Sequence, residues 1–135
     1  MDTDITPQIS IIMITKDRAG FISDALRSAQ KQGSLAWELF VIDDASNDNT
    51  EVIVGQFSAK DARIKYHRNT DNLGISKNRN MGLNLSKGKY IAVLDSDDFW
   101  VDMNKLQKQY DFLESNPEYV LIGSNIKIVD DKNNF

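Results

Sequence analysis

The apolar positions of this chain fall in short, dense runs separated by polar stretches of helical periodicity. From Gln8 to Thr15, residues Ile9, Ile11, Ile12, Met13 and Ile14 form a nearly unbroken run, the pattern of a strand covered on both faces. Ile22, Ala25, Leu26 and Ala29 then recur at helical spacing, and Gly33 follows where that helix should stop. Trp37 to Ile42 reads as a second strand ending at Asp43-Asp44. Ser46-Asn47-Asp48-Asn49-Thr50 supplies turn and N-cap chemistry for a helix carrying Val52, Ile53 and Phe57. In a third strand, Arg63 to Arg68, Ile64 and Tyr66 alternate with Lys65 and His67, and His67 reads as an ordinary strand-edge residue. A helix over Ile75 to Leu85 is expected to turn Ile75, Met81 and Leu85 to the core and Lys77 and Arg79 away from it. Ser86 to Lys89 then turns the chain into a strand beginning at Tyr90. Leu106, Tyr110 and Leu113 mark a last helix stopped by Asn116-Pro117, and Tyr119 to Gly123 and Ile126 to Val129 read as two closing strands. Trp37 and Trp100 are expected to pack in the core or against the sheet.

Strands alternating with helices, the strands themselves apolar, imply an α/β fold with a mainly parallel sheet flanked by helices. Ligands of such folds collect outside the carboxyl ends of the strands. That rule brings Thr15-Lys16-Asp17, Asp43-Asp44 and Asp95-Ser96-Asp97 to one rim, although they lie far apart in the chain. The run Tyr90-Ile91-Ala92-Val93-Leu94-Asp95-Ser96-Asp97-Asp98 is the most telling of these, since an apolar strand ends in a cluster of carboxylates. In extended chain alternate side chains share a face, so Asp95 and Asp97 point one way and Ser96 the other. Two such carboxylates suit a hard cation that also holds substrate phosphates. Taken alone, the cluster reads equally well as an acidic cap on the following helix.

Composition narrows the chemistry. A chain of 135 residues with 41% hydrophobic content fits one domain with its own core. It contains no cysteine and one histidine, His67, which excludes disulfides and thiolate metal sites and leaves oxygen ligands for any metal. A net charge of −4 argues against a nucleic-acid module, which would carry a basic face. No apolar stretch approaches the roughly 20 residues that span a bilayer, and Met1-Asp2-Thr3-Asp4 is unlike a leader peptide. The expectation is a cytoplasmic protein, with membrane association at the inner face only through further sequence. The Asn- and Asp-rich tail from Asp130 to Phe135 ends without a closing element, as in a chain cut from something longer.

Four blocks in order carry a family likeness: Ser10-Ile11-Ile12-Met13-Ile14-Thr15; Val41 to Thr50 with Asp43-Asp44; Asn72-Leu73-Gly74 with Lys77-Asn78-Arg79-Asn80-Met81-Gly82; and Gly88 to Asp98. Together they resemble glycosyltransferase family 2, from about Gln8 to Val129. The resemblance implies a Rossmann-like GT-A fold over residues 1–135, with the acceptor side truncated. It implies a nucleotide-diphospho-sugar donor, a UDP-sugar favoured, a saccharide or other hydroxyl-bearing acceptor, and Mn²⁺ or Mg²⁺ held by a DxD motif. Here that motif is Asp95-Ser96-Asp97, with Asp97 the first choice of metal ligand and Asp95 serving the ribose or the metal shell. Thr15 and Asp17 match the nucleotide-receiving end of the first strand, Asp44 matches the residue that reads the base edge, and Asp43 supports its loop. Many relatives carry an aromatic residue or Asn where Lys16-Asp17 stands, which leaves that base contact open. The general base is expected beyond residue 135, Asp98 being a poor substitute within the metal loop.

The residues support these roles by their chemistry. A fixed carboxylate accepts a ring N–H of uracil in a charge-assisted bond, which selects against adenine. Lys77 or Arg79 could neutralise phosphate oxygens that a metal leaves uncovered, and the spacing does not say which. Three other classes compete. A phosphoacceptor receiver domain needs its acidic pair after the first strand, whereas Asp43-Asp44 follow the second. A nucleotidyltransferase needs a Gly-rich basic loop, which Lys16-Asp17-Arg18-Ala19-Gly20 is not. A noncatalytic nucleotide-sugar-binding or interaction module shares every feature up to the transfer step.

Overall fold

A computed structural model describes residues 6–33 and 35–134; Met1–Asp4 and Phe135 lie outside the described residues. The described chain runs β1 (Ile9–Thr15), α1 (Ile22–Gln30), β2 (Trp37–Asp43), α2 (Thr50–Ser58), β3 (Ile64–Arg68), α3 (Ile75–Leu85), β4 (Tyr90–Val93) and α4 (Lys105–Ser115). All strand pairings are parallel, in the order β3-β2-β1-β4. The chain thus moves outward from β1 through β2 to β3 and then returns to β1's other side, so the order reverses beside β1. A crevice at the carboxyl ends of β1 and β4 is the expected ligand position in such a sheet.

The central strands are apolar because both faces are covered. Ile9, Ile11 and Met13 of β1 and Leu39 and Val41 of β2 form one cluster with Ile22, Ala25, Leu26 and Ala29 of α1, and Leu106 of α4 joins it. Burying a side chain of this size is worth roughly 1.5–3 kcal/mol, so this cluster dominates the fold. Trp37 is core, and Trp100 packs against it beneath Lys105. The alternation expected of β3 holds, Ile64 being buried and Lys65 and His67 exposed.

The other face of β1 is covered by α3, and here the structure corrects the periodicity. Ile75 and Leu85 are exposed and Met81 only partly covered; the buried residues of α3 are Asn78 and Gly82. A Cβ at Gly82 would stand 2.6 Å from Cγ2 of Ile12. The missing side chain therefore sets how closely α3 approaches β1, and at this distance the face one turn earlier, Asn78, is turned inward.

The two closing strands are also corrected. Residues 119–129 form no strand, and Val120, Leu121, Ile126 and Ile128 are more than four-fifths exposed. A gap of about 560 Å³ lies between residues 120–124 and the β4–α4 surface. Alternating apolar residues make a strand only when a neighbouring strand accepts their backbone bonds, and here β4's outer edge does not take them. β4 is accordingly an edge strand, with Ile91 and Val93 partly exposed. No helix among the described residues is long and apolar enough to cross a membrane.

Candidate functional site

A cavity of about 440 Å³ opens at the carboxyl ends of the strands, with Thr15, Asp44, Arg79, Asp95, Ser96 and Asp97 in its wall. It sits at the reversal of strand order, with Thr15 ending β1 and the acidic loop following β4.

The acidic loop takes its shape from a turn rather than from extended chain. β4 ends at Val93, and the backbone N–H of Asp98 donates to the carbonyl of Asp95 at 3.1 Å. The expected alternation survives: Leu94 and Ser96 are buried, and Asp95 and Asp97 face outward. Each of the two carboxylates has a cationic neighbour. Arg18 Nε lies 3.4 Å from Asp97 Oδ2, and Arg79 Nη2 lies 3.8 Å from Asp95 Oδ1. Both pairs are half exposed, so neither contributes much to stability; what they show is that this loop calls for positive charge. Burial, and then the charges of Asp97 and Asp95, raise the Asp98 carboxyl above its ordinary value.

These residues fit a divalent cation of the Mg²⁺ or Mn²⁺ kind. Asp95 and Asp97 offer hard oxygen donors side by side, and no larger acidic or histidine cluster among the described residues forms a ready metal cage. A cation there would complete its shell with phosphate oxygens or water.

Asp44 is built differently. It is buried, and its Oδ1 accepts the backbone N–H of Leu73 at 2.7 Å and Nδ2 of Asn69 at 3.1 Å, while Oδ2 accepts the N–H of Gly74 at 3.0 Å. Gly74 has φ 83°, so the loop that delivers these two N–H groups depends on a glycine. Burial alone would raise the Asp44 carboxyl, but the polar groups of Asn78, Leu73, Asn69 and Gly74 around it outweigh burial and bring the pKa to about 2. Asp44 therefore stays ionised at neutral pH, with one acceptor direction on Oδ2 left unused.

Asp43, Asp17 and Lys77 do not line the cavity. Asp43 is fully buried, accepting the Ser46 N–H at 2.8 Å and the Tyr66 hydroxyl at 2.5 Å, so it braces the loop after β2. Burial and then the Asp43 charge hold the Tyr66 phenol well above its usual pKa. Asp17, at φ 51°, accepts the N–H of Asn47 at 2.7 Å, and its own N–H donates to Ser46 Oγ at 2.9 Å, tying the loops after β1 and β2 together. Lys77 is exposed, whereas Arg79 reaches the cavity from the same helix. Arg18, Asn69 and Asn78 are the site residues the sequence reading missed. Of these only Asn78 stands within one of the four family blocks.

The same carboxylate chemistry predicts acid sensitivity. Asp61 is brought to about 2, first by the Arg63 side chain, against the opposing effect of burial, and further by Gln30. Asp44 and Asp61 both hold protons more weakly folded than unfolded. Their contribution, of the order of 1–2 kcal/mol each, is complete above about pH 4 and lost as pH falls toward about 2. Urea midpoints measured from pH 6 to pH 2 should fall steeply below pH 4, and Asp61→Asn should remove part of that fall. An unchanged midpoint down to pH 2 would refute the assignment.

Known proteins resemble this chain in sequence and in fold. The family described as Glycosyl transferase family 2 matches residues 10–135. The chain belongs to glycosyltransferase family 2. An Escherichia coli relative named UDP-Glc:alpha-D-GlcNAc-diphosphoundecaprenol beta-1,3-glucosyltransferase is 40% identical over 116 residues, covering 86% of this chain and 45% of that protein. The chain thus spans less than half the length of this relative. The Staphylococcus aureus TarS fragment 1–349 in complex with UDP superposes with a TM-score of 0.75 at 28% identity, over 82% of this chain and 33% of that one. A Pyrobaculum calidifontis mannosyltransferase, solved with GDP-Man and Mn²⁺, shares the fold at TM-score 0.74 and 22% identity, over 82% of this chain and 33% of that one. The family 2 chain has the expected α/β, GT-A-type architecture of a parallel sheet flanked by helices.

Proposed function

We propose that this chain binds the nucleoside diphosphate of a sugar donor, a UDP-sugar by preference, and serves an inverting, metal-dependent transfer of that sugar to an acceptor hydroxyl in polysaccharide or glycoconjugate synthesis. The observation that carries the reading is the meeting of Asp95 and Asp97, Arg79 and Arg18, and Thr15 and Asp44 around one cavity at the reversal of strand order. Asp97, backed by Asp95, would hold Mn²⁺ or Mg²⁺, which supplies Lewis-acid stabilisation of charge on the departing diphosphate. Arg79 and Arg18 then cover phosphate oxygens with charge-assisted bonds. Thr15 Oγ1 is buried without a partner among the described residues and lines the cavity, so it is free to bond the nucleoside. Asp44 offers its remaining acceptor direction to the imino N–H of uracil. Asp17 and Asp43 act one step back by fixing the loops, and Lys77 is assigned no contact. Asp98 is not read as the acceptor's general base, because its side chain belongs to the metal loop; this chain is assigned donor binding.

Calorimetric titration of UDP, GDP and ADP with and without Mn²⁺ tests the reading. UDP should bind in a Mn²⁺-dependent manner at least about tenfold more tightly than ADP, as loss of one charge-assisted base contact implies. Equal binding of the three nucleotides, indifferent to Mn²⁺, would defeat it. The transfer step separates an enzyme from a noncatalytic nucleotide-sugar-binding module. Donor binding without sugar transfer by the full-length protein, across saccharide and other hydroxyl acceptors, would favour the module.

A further inference from the structure

Asn78 occupies the innermost position of α3 and has no solvent exposure, a place where a helix packed on a sheet ordinarily puts an apolar side chain. Its Oδ1 accepts Nδ2 of Asn69 at 2.6 Å, and the same Nδ2 donates to Asp44 Oδ1 at 3.1 Å. Its own Nδ2 completes no hydrogen bond within the described residues. A buried amide with an incompletely used donor destabilises a fold relative to an alanine of the same helix. The α3 core would be better served by an apolar residue, which directs attention to what the amide holds.

We propose that Asn78 is the positioning residue of the base-reading carboxylate: with Asn69 it forms an amide pair that locks Asp44 in the orientation that leaves one oxygen lone pair facing the cavity. The assignment rests on the proposed role of Asp44. Leu73 and Gly74 hold the carboxylate through their backbone N–H groups and Asn69 through its side-chain amide, which Asn78 on α3 in turn fixes, so that rotation about its last bond breaks these bonds. Gly82, four residues on, makes the arrangement possible by letting α3 approach Ile12 closely enough to bring Asn78 to the end of β2. A loosened carboxylate would still be buried and negative, but it would no longer present a fixed acceptor. The consequence is a loss of base discrimination more than a loss of diphosphate binding.

The test compares the UDP-over-ADP affinity ratio, in Mn²⁺, for the wild-type chain and for Asp44→Asn, Asn78→Asp, Asn78→Ala and Asn69→Ala, each first shown by thermal melting to be folded at the measuring temperature. Asn78→Asp keeps the shape of the side chain, and Asn69→Ala reaches the same carboxylate from a loop without disturbing the α3 core. The expected result is a ratio reduced about tenfold by Asp44→Asn and by a comparable factor in the Asn78 and Asn69 variants, with ADP affinity changed no more than about twofold. A merely structural Asn78 would lower the melting temperature and leave the ratio where it was. That outcome, alongside a ratio lost in Asp44→Asn, overturns the Asn78 assignment and leaves the base reading standing. A ratio unaffected by Asp44→Asn overturns the base reading and this assignment with it.

Discussion

Asp97→Asn should weaken Mn²⁺-dependent UDP binding by about 100-fold or more, while leaving the melting temperature within a few degrees. The substitution keeps the size of the side chain and removes one of only two carboxylates that face the cavity from the acidic loop. A hard cation held by so few protein ligands loses much of its affinity with one of them, since water and phosphate are then all that replaces it. Stability is little affected because Asp97 is half exposed and its pairing with Arg18, at 3.4 Å, is a surface interaction. The comparison with Asp98→Asn makes the result specific. Asp98 belongs to the same turn and feels the charges of Asp95 and Asp97, but it is assigned no ligand role, so its loss should change UDP affinity by less than about tenfold. A loop acting only as a field of negative charge would respond similarly to either change. Equal losses in the two variants, or Mn²⁺ dependence retained in Asp97→Asn, would remove Asp97 from the metal.

The strand ends were legible because their signals are local. A run such as Ile9 to Ile14 has the pattern of a covered strand, and charges at the carboxyl end of such a strand face the rim; that pattern places Thr15, Asp44, Asp95 and Asp97 there, and the family resemblance adds their roles. What a carboxylate does at the rim was less legible, because it depends on which backbone N–H groups the loops bring to it. Asp17 and Asp43 are used up by Asn47, Ser46 and Tyr66, while Asp97 meets no backbone donor among the described residues and pairs instead with Arg18. The α3 face was misread for a steric reason. Counting apolar residues favours Ile75, Met81 and Leu85, but the close approach at Gly82 decides which face is inside. Residues 119–129 carry a strand pattern, yet pattern specifies which side chains share a face and says nothing of whether an edge accepts the backbone.

Gly88→Ala should be the most damaging small substitution in the chain, costing about 3 kcal/mol and lowering the melting temperature by roughly 10 °C. A Cβ at Gly88 would meet the backbone N of Ser10 and stand 2.6 Å from the carbonyl carbon of Ile9. Both belong to the central strand, whose ladder with β2 leaves it no room to yield. At Gly82 the obstacle is the Ile12 side chain, which has rotamers to move through, so Gly82→Ala should cost less. The Gly88 N–H also donates to Ser10 Oγ at 2.8 Å. Ser10 in turn donates to the buried Glu38, which holds Lys65 at 2.6 Å and the Lys87 N–H at 2.9 Å. Desolvation opposes the charge on Glu38, but these donors prevail and lower its pKa, so the network stays ionic. It pins the start of β4 opposite Ile9, and that register carries Val93 to Ile12 and the acidic loop to the rim beside Thr15. Damage at this pole should therefore be felt at the other: folded Gly88→Ala protein should also bind UDP more weakly, although residue 88 lies outside the cavity. Ser10→Ala, which removes the acceptor without the clash, separates the two effects and should cost only about 1–2 kcal/mol. A Gly88→Ala chain that melts like the wild type would mean that β1 and the turn before β4 are not in the close contact the structure places there.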